Sequence, residues 1–133
     1  MTRVYQNQQD HLHIRSKANG DRSIEVINLK QDASVYGAGT VVVAEYTLSG
    51  ENNVTQVATG LYVDPADVAV VDYKTVKVAV INDRVDASAG DHAAVALVRD
   101  GEAYGQYISL KGLASPKKAV VAAALDAAGI VVR

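Results

Sequence analysis

With no cysteine in the chain, any metal site or catalytic centre must be built from three histidines, fifteen acidic residues and the hydroxyls. The densest grouping is His11-x-His13 beside Asp10. On a strand, alternation would put both imidazoles on one face, a spacing that suits a transition metal. No further ligand type stands close by, and the flanking residues are polar, so the pair reads as an exposed segment. His92, next to Asp91 at a strand entrance, reads as a surface histidine. Asp64, Asp67 and Asp72 make an acidic run, but a calcium loop needs oxygen ligands at positions 1, 3, 5 and 12 around a central glycine. Asp64-Pro65-Ala66-Asp67 is simply a turn, and Asp83, Asp86 and Asp91 suit a solvated loop.

Nucleophilic catalysis has no visible support. There is no G-x-S-x-G elbow, and Gly37-Ala38-Gly39 lacks the third glycine and the following helix of a phosphate loop. Two distant carboxylates could still meet in space, but nothing singles out a pair. The residue types therefore point away from an enzyme, and no cofactor or metal is expected.

The elements that would carry these residues are mostly strands. The 133 residues suit one domain, and 49% are hydrophobic, enough for a core. Seven tyrosines, no phenylalanine and no tryptophan stand among many valines and alanines. Valine and tyrosine favour strands, and small residues favour closely packed sheets. No apolar run approaches the roughly 18 residues that would span a bilayer. Met1–Asp10 has no apolar signal-peptide core. The chain is read as soluble, made in the cytosol and without a membrane partner, so Asn53-Val54-Thr55 is read as a loop rather than a glycosylation site.

In order, strands are expected over Ser23–Leu29, Thr40–Leu48, Val54–Val63 (interrupted by Gly60), Val68–Tyr73 and Val76–Ile81. On Thr40–Leu48, Val42, Ala44, Tyr46 and Leu48 share one face and Val41 and Val43 the other. Ala93–Val98, Arg99-Asp100-Gly101-Glu102 and Ala103–Leu110 read as a hairpin, because Asp-Gly between apolar runs is a strong turn signal. Ser115 then caps a helix with Pro116 at its first position. Lys117–Ala128 is rich in alanine, with Val121, Leu125 and Ala128 on one stripe and Ala124 beside it. A helix this short is marginal in water, so it must dock on the sheet. Gly129 falls where a left-handed residue ends a helix, and Ile130–Val132 is a terminal strand. Lys117 and Lys118 lie where the helix dipole disfavours cations. Solvated lysines over an alanine surface account for them, and an anionic partner is the alternative. Short strands at intervals of about ten residues with one late helix argue for a mainly β (α+β) barrel or clip.

Residues 1–22 form a polar segment read as a flexible N-terminal arm, and residues 23–133 form the body. Four basic and two acidic residues give the arm a charge of +2, against −4 for the remainder. That is too few charges for a nucleic-acid tail and points to an acidic protein surface. Val4, Tyr5, Leu12 and Ile14 are the arm's apolar anchors. The arm either adds as a strand to a partner's sheet edge or is a frayed terminus.

Several stretches of the body resemble the phage head decoration protein D family, the lambda-type capsid-stabilising proteins. Gly39-Thr40-Val41 is similar to the family's "aGtVl" segment, and Thr59-Gly60-Leu61-Tyr62-Val63-Asp64-Pro65 to its "tGkyvpydp" turn. Val80-Ile81-Asn82-Asp83-Arg84-Val85-Asp86-Ala87 is similar to "gil.edvda", and Val95–Arg99 with Gly101 to "v.vrG". Ala122–Leu125 with Ala128–Arg133 resembles the ending "aaLaalGivv". The order of the motifs over residues 23–133 carries the resemblance. Ser49–Gln56 stands as an insertion in the first hairpin, Asp100 as an extra residue, and the arm has no matching motif.

The resemblance implies a β-clip-like body, a homotrimer, and binding to the major capsid protein at threefold positions on the outside of an expanded shell. It implies a structural virion protein and no catalysis. Arg3, Val4, Tyr5, Leu12, Ile14 and Arg15 are then the arm's candidate capsid-binding residues. Val76–Ile81, Tyr104 with Tyr107, and the loop around Asn52 are candidate trimer surfaces. A tail or baseplate accessory protein, and a trimeric β-clip ligand-binding module or enzyme, are the alternatives.

Overall fold

The structure is a computed structural model, and it describes residues 14–17, 23–49, 55–65, 77–103, 108 and 117–133. The strands are β1 (Ile14–Lys17), β2 (Ile24–Leu29), β3 (Val41–Ser49), β4 (Thr55–Val63), β5 (Val78–Ile81), β6 (His92–Leu97) and β7 (Gly101–Ala103), followed by helix α1 (Lys117–Ala127) and strand β8 (Ile130–Val132). Strands β2-β4-β3-β5-β6 close a small barrel, and β1-β7-β8 form a second, three-stranded sheet. The chain is thus mainly β, with one C-terminal helix among the described residues, built on a small closed barrel.

Alternation along the strands builds two cores. One takes residues from all five barrel strands: Ile27 and Leu29, Val42, Ala79 and Ile81, Ala94 and Ala96, with Tyr62 packed against it. That set fills the lumen. Five strands enclose a narrow space, which is why alanines serve there. Tyr36, Val85 and Ala87 close the end where β5 finishes. Tyr36 and Val85 exchange backbone hydrogen bonds of 2.9 and 2.8 Å, and the Tyr36 hydroxyl donates to the Lys30 carbonyl at 2.9 Å.

The second core lies outside the barrel wall. Val41, Val43, Val63, Val78, Val80 and Leu97 meet Val121 and Leu125 of α1 and Ile130 of β8. The predicted helix stripe is therefore the docking face, with Ala124 and Ala128 packed beside it. All four residues of β5 are buried because the lumen covers one face and α1 the other.

β3 and β4 are an antiparallel hairpin whose register shifts between Ala44 and Tyr46. There Ala44 pairs Tyr62 and Tyr46 pairs Ala58, so Thr59, Gly60 and Leu61 together face Glu45. Gly60 takes φ +85°, which lets the backbone bulge, and Thr59 Oγ1 braces the bulge by accepting the Leu61 N–H at 3.3 Å.

Two expectations change. The Asp100-Gly101 turn does not make a hairpin. Both edges of β6 are already taken, by β2 and β5, so β7 finds no edge there and crosses to the second sheet. Asp100, rather than Gly101, adopts the left-handed conformation, at φ +49°. The second change concerns the arm. Ile14–Lys17 is a strand, β1, paired antiparallel with β7 of the same chain. That pairing satisfies backbone groups that β7 would otherwise leave open on that edge. Val68–Tyr73, the Ser115-Pro116 cap and most of Ala103–Leu110 lie outside the described residues.

Candidate functional site

Of the arm residues expected to contact a partner, Ile14 and Arg15 stand in β1. Arg3, Val4, Tyr5 and Leu12 lie outside the described residues, as do His11 and His13. The arm runs into β1, an outer strand of the second sheet. β8 is the other outer strand, so the two ends of the described chain flank β7 in one sheet.

The candidate trimer surface over Val76–Ile81 is corrected. Val78 is 4% exposed and Ala79, Val80 and Ile81 are wholly buried, because β5 is an inner strand of the barrel with α1 over it. Val76, Asn52, Tyr104 and Tyr107 lie outside the described residues. The exposed apolar side chains are elsewhere. Val26 and Val95, a cross-strand pair on β2 and β6, are 70% and 37% exposed. Val57 on β4 and Val131 and Val132 on β8 are exposed as well. Strand alternation alone would have placed Val26 and Val95 on one face. It could not have said that α1 stops short of covering them.

The carboxylates hold loops together. The Asp91 carboxylate accepts the Gln31 N–H at 2.8 Å, Asp32 that of Ser34 at 2.9 Å, and Asp86 that of Ser88 at 3.0 Å. The hydroxyl and backbone N–H of Ser88 hold the Asp86 carboxyl below the ordinary carboxylate range. Asp64 is buried at the end of β4, while Asp67 and Asp72 lie outside the described residues. Among the described residues, no three of His, Cys, Asp and Glu come together as a metal site would require.

One concave feature gathers side chains of chemical interest. A cleft of about 370 Å³ lies where β5 begins and β6 ends, beside the last turns of α1. Its apolar part is Val78, Val98 and the alanine face of α1. Small side chains at Ala124 and Ala128 leave the space that leucines would fill. Its polar part is Glu25, Tyr62, Lys77 and Arg99. Glu25 and Arg99 form an ion pair across β2 and the end of β6. Tyr62 is half-buried, and its phenol is pushed above the ordinary tyrosine value by burial first and by the Glu25 carboxylate second. The hydroxyl is therefore a neutral donor at physiological pH. These four residues lie far apart in the sequence, so nothing local marked them as a group.

No protein family, curated protein or solved structure matches this chain.

Proposed function

We propose that the protein is a structural virion component, a homotrimer that binds the major capsid protein at threefold positions on the outside of an expanded phage capsid and cements the shell. The observation that carries this reading is where the family-like motifs fall. Among the described residues, Gly39, Gly60 and Gly129 are the glycines with positive φ, at +82°, +85° and +78°. Each is the glycine of a motif similar to the decoration protein D family, so the resemblance coincides with the backbone positions that most constrain residue choice. A small barrel with one helix on its wall is compatible with the β-clip-like body that the family implies.

The physical logic is that of a lattice clamp. Three weak arms on one trimer bind together through effective concentration. A ligand that binds only the expanded lattice stabilises it by mass action. β1 fits this scheme, because it roots the arm in the body through its pairing with β7.

The test is co-sedimentation with expanded, undecorated capsids, for the full chain and for a variant lacking residues 2–13, which keeps β1. Saturable binding by the full chain, weakened in the truncation, supports a cement with a working arm. Sedimentation equilibrium is expected to show a trimer. Monomer alone at high micromolar concentration, or no capsid binding by either chain, refutes the reading.

A further inference from the structure

The cleft beside α1 carries an inference that does not depend on the capsid reading. Its hydrogen-bonding groups are unbalanced. Among the described residues, the Tyr62 hydroxyl and the Lys77 ammonium have no hydrogen-bond or ion-pair partner. Both line the cleft together with the Arg99 guanidinium. Glu25, the carboxylate there, is engaged by Arg99. The cleft thus offers the donors of Tyr62 and Lys77, beside the Arg99 cation, around an apolar floor of Val78, Val98 and the alanines of α1.

Such a site is complementary to an acceptor-rich, negatively charged group on a small apolar body. We propose that the cleft binds a small organic carboxylate, with the apolar part on Val78, Val98 and the alanine face of α1 and the carboxylate on Tyr62 and Lys77, in the field of the Arg99 cation. A volume of about 370 Å³ is at the low end for ligand sites, so the ligand is small. Arg99 adds positive charge to the cleft without being counted as an open donor. Glu25 orients Arg99 and disfavours ligands of higher negative charge. Because Tyr62 is a phenol through the neutral range, its hydroxyl is a donor at neutral pH, where a carboxylate ligand is charged, and that donor is lost only above the ordinary tyrosine value.

The experiment is a two-dimensional amide NMR titration of the full chain with octanoate, against octylamine and 1-octanol as chain-matched controls. Octanoate is expected to shift the amides of Glu25, Tyr62, Val98, Arg99 and Ala124–Ala128 along one saturating curve. The amine and the alcohol are expected to bind at least tenfold more weakly. Lys77→Gln combined with Arg99→Gln is expected to weaken octanoate binding at least tenfold, and Tyr62→Phe severalfold. Ala124→Leu fills the cleft and is expected to abolish the shifts. If that variant fails to fold, the Tyr62→Phe and Lys77→Gln titrations decide. Equal binding of octylamine, shifts scattered over the surface, or undiminished octanoate binding in the Tyr62→Phe and Lys77→Gln variants would each overturn the proposal.

Discussion

Replacing Gly129 by alanine tests how α1, β8 and the turn before β7 are joined. Gly129 follows α1 at φ +78°. The Asp100 N–H donates to the Ala128 carbonyl at 3.1 Å, and the Gly101 N–H to the Gly129 carbonyl at 3.2 Å. The Ser23 hydroxyl donates to the Asp100 carbonyl at 2.9 Å, so the junction reaches the start of β2 as well. A Cβ on residue 129 meets two costs. Left-handed backbone costs an L-residue roughly 1–2 kcal/mol. The added carbon would also lie 2.7 Å from Asp100 Oδ1, while the nearest backbone atoms stand at 3.4 and 3.5 Å. The carboxylate sits at the free end of an exposed side chain and can turn aside, at a rotamer cost of order 0.5 kcal/mol. The backbone term therefore wins, and Gly129→Ala is expected to lose about 1–2 kcal/mol. In urea unfolding followed by tyrosine fluorescence, that is a midpoint lower by roughly 0.5–1 M for a slope of about 2 kcal/mol/M. Asp100→Gly removes the close oxygen. By itself it is near neutral, because relief of strain at φ +49° is offset by the entropy that glycine adds to the unfolded chain. The double variant is expected to recover no more than about 0.5 kcal/mol, since only the contact is shared between the two sites. A loss below about 0.5 kcal/mol in Gly129→Ala would refute the backbone argument. A coupling above about 1 kcal/mol would show that the contact dominates instead.

Three further outcomes are expected. Leu125→Ala opens a cavity between α1 and the barrel wall and is expected to cost about 2–5 kcal/mol in the same assay, whereas Ala123→Ser, on the exposed face of α1, stays within about 0.5 kcal/mol. Tyr36→Phe leaves the Lys30 carbonyl without its 2.9 Å hydrogen bond and is expected to lose about 0.5–1.5 kcal/mol, with unchanged circular dichroism because the ring still fills the lumen. The lowered Asp86 value stabilises the folded state in full above the ordinary carboxylate value, and this is lost as pH falls through the lowered one. Melting temperature in acid should accordingly fall less steeply with decreasing pH in Asp86→Asn than in the unaltered chain.

The strands and the helix were legible because each depends on local pattern. The apolar run Val76–Ile81 reads as a strand, and Val78–Ile81 is one, although its burial on both faces was not legible and the run read as a candidate trimer surface. Val121 and Leu125 mark the docking face of α1 at helical spacing, and both are buried there. Gly60 marks the interruption of β4, where the register against β3 shifts. Pairing was not legible to the same degree, because a strand's partner is decided by which edges remain open. Asp100-Gly101 has the local chemistry of a hairpin turn, and a two-strand reading has no means of seeing that β2 and β5 already occupy β6. The same blindness applies to the cleft, since Glu25, Tyr62, Lys77 and Arg99 come together only once the barrel has closed.

The arm shows the consequence most plainly. By composition, residues 1–22 lack the apolar area to offset the entropy of their own ordering, and the argument for a detached arm rests on that deficit. It omits what the rest of the chain supplies. β7 is three residues long and leaves the barrel with both edges open. Its Gly101–Ala103 backbone takes β8 in parallel on one side and Ile14–Lys17 in antiparallel fashion on the other. The three strands come from the beginning, the late middle and the end of the chain. Each is too short to persist alone, and the sheet exists because the barrel and α1 deliver its members to one place. Ordering of β1 is therefore a property of the folded body, and Ile14 and Arg15 belong to the root of the arm. On the proposed capsid reading, contacts of the arm are then to be sought first in residues that precede Ile14, with Arg3, Val4, Tyr5 and Leu12 the first to substitute.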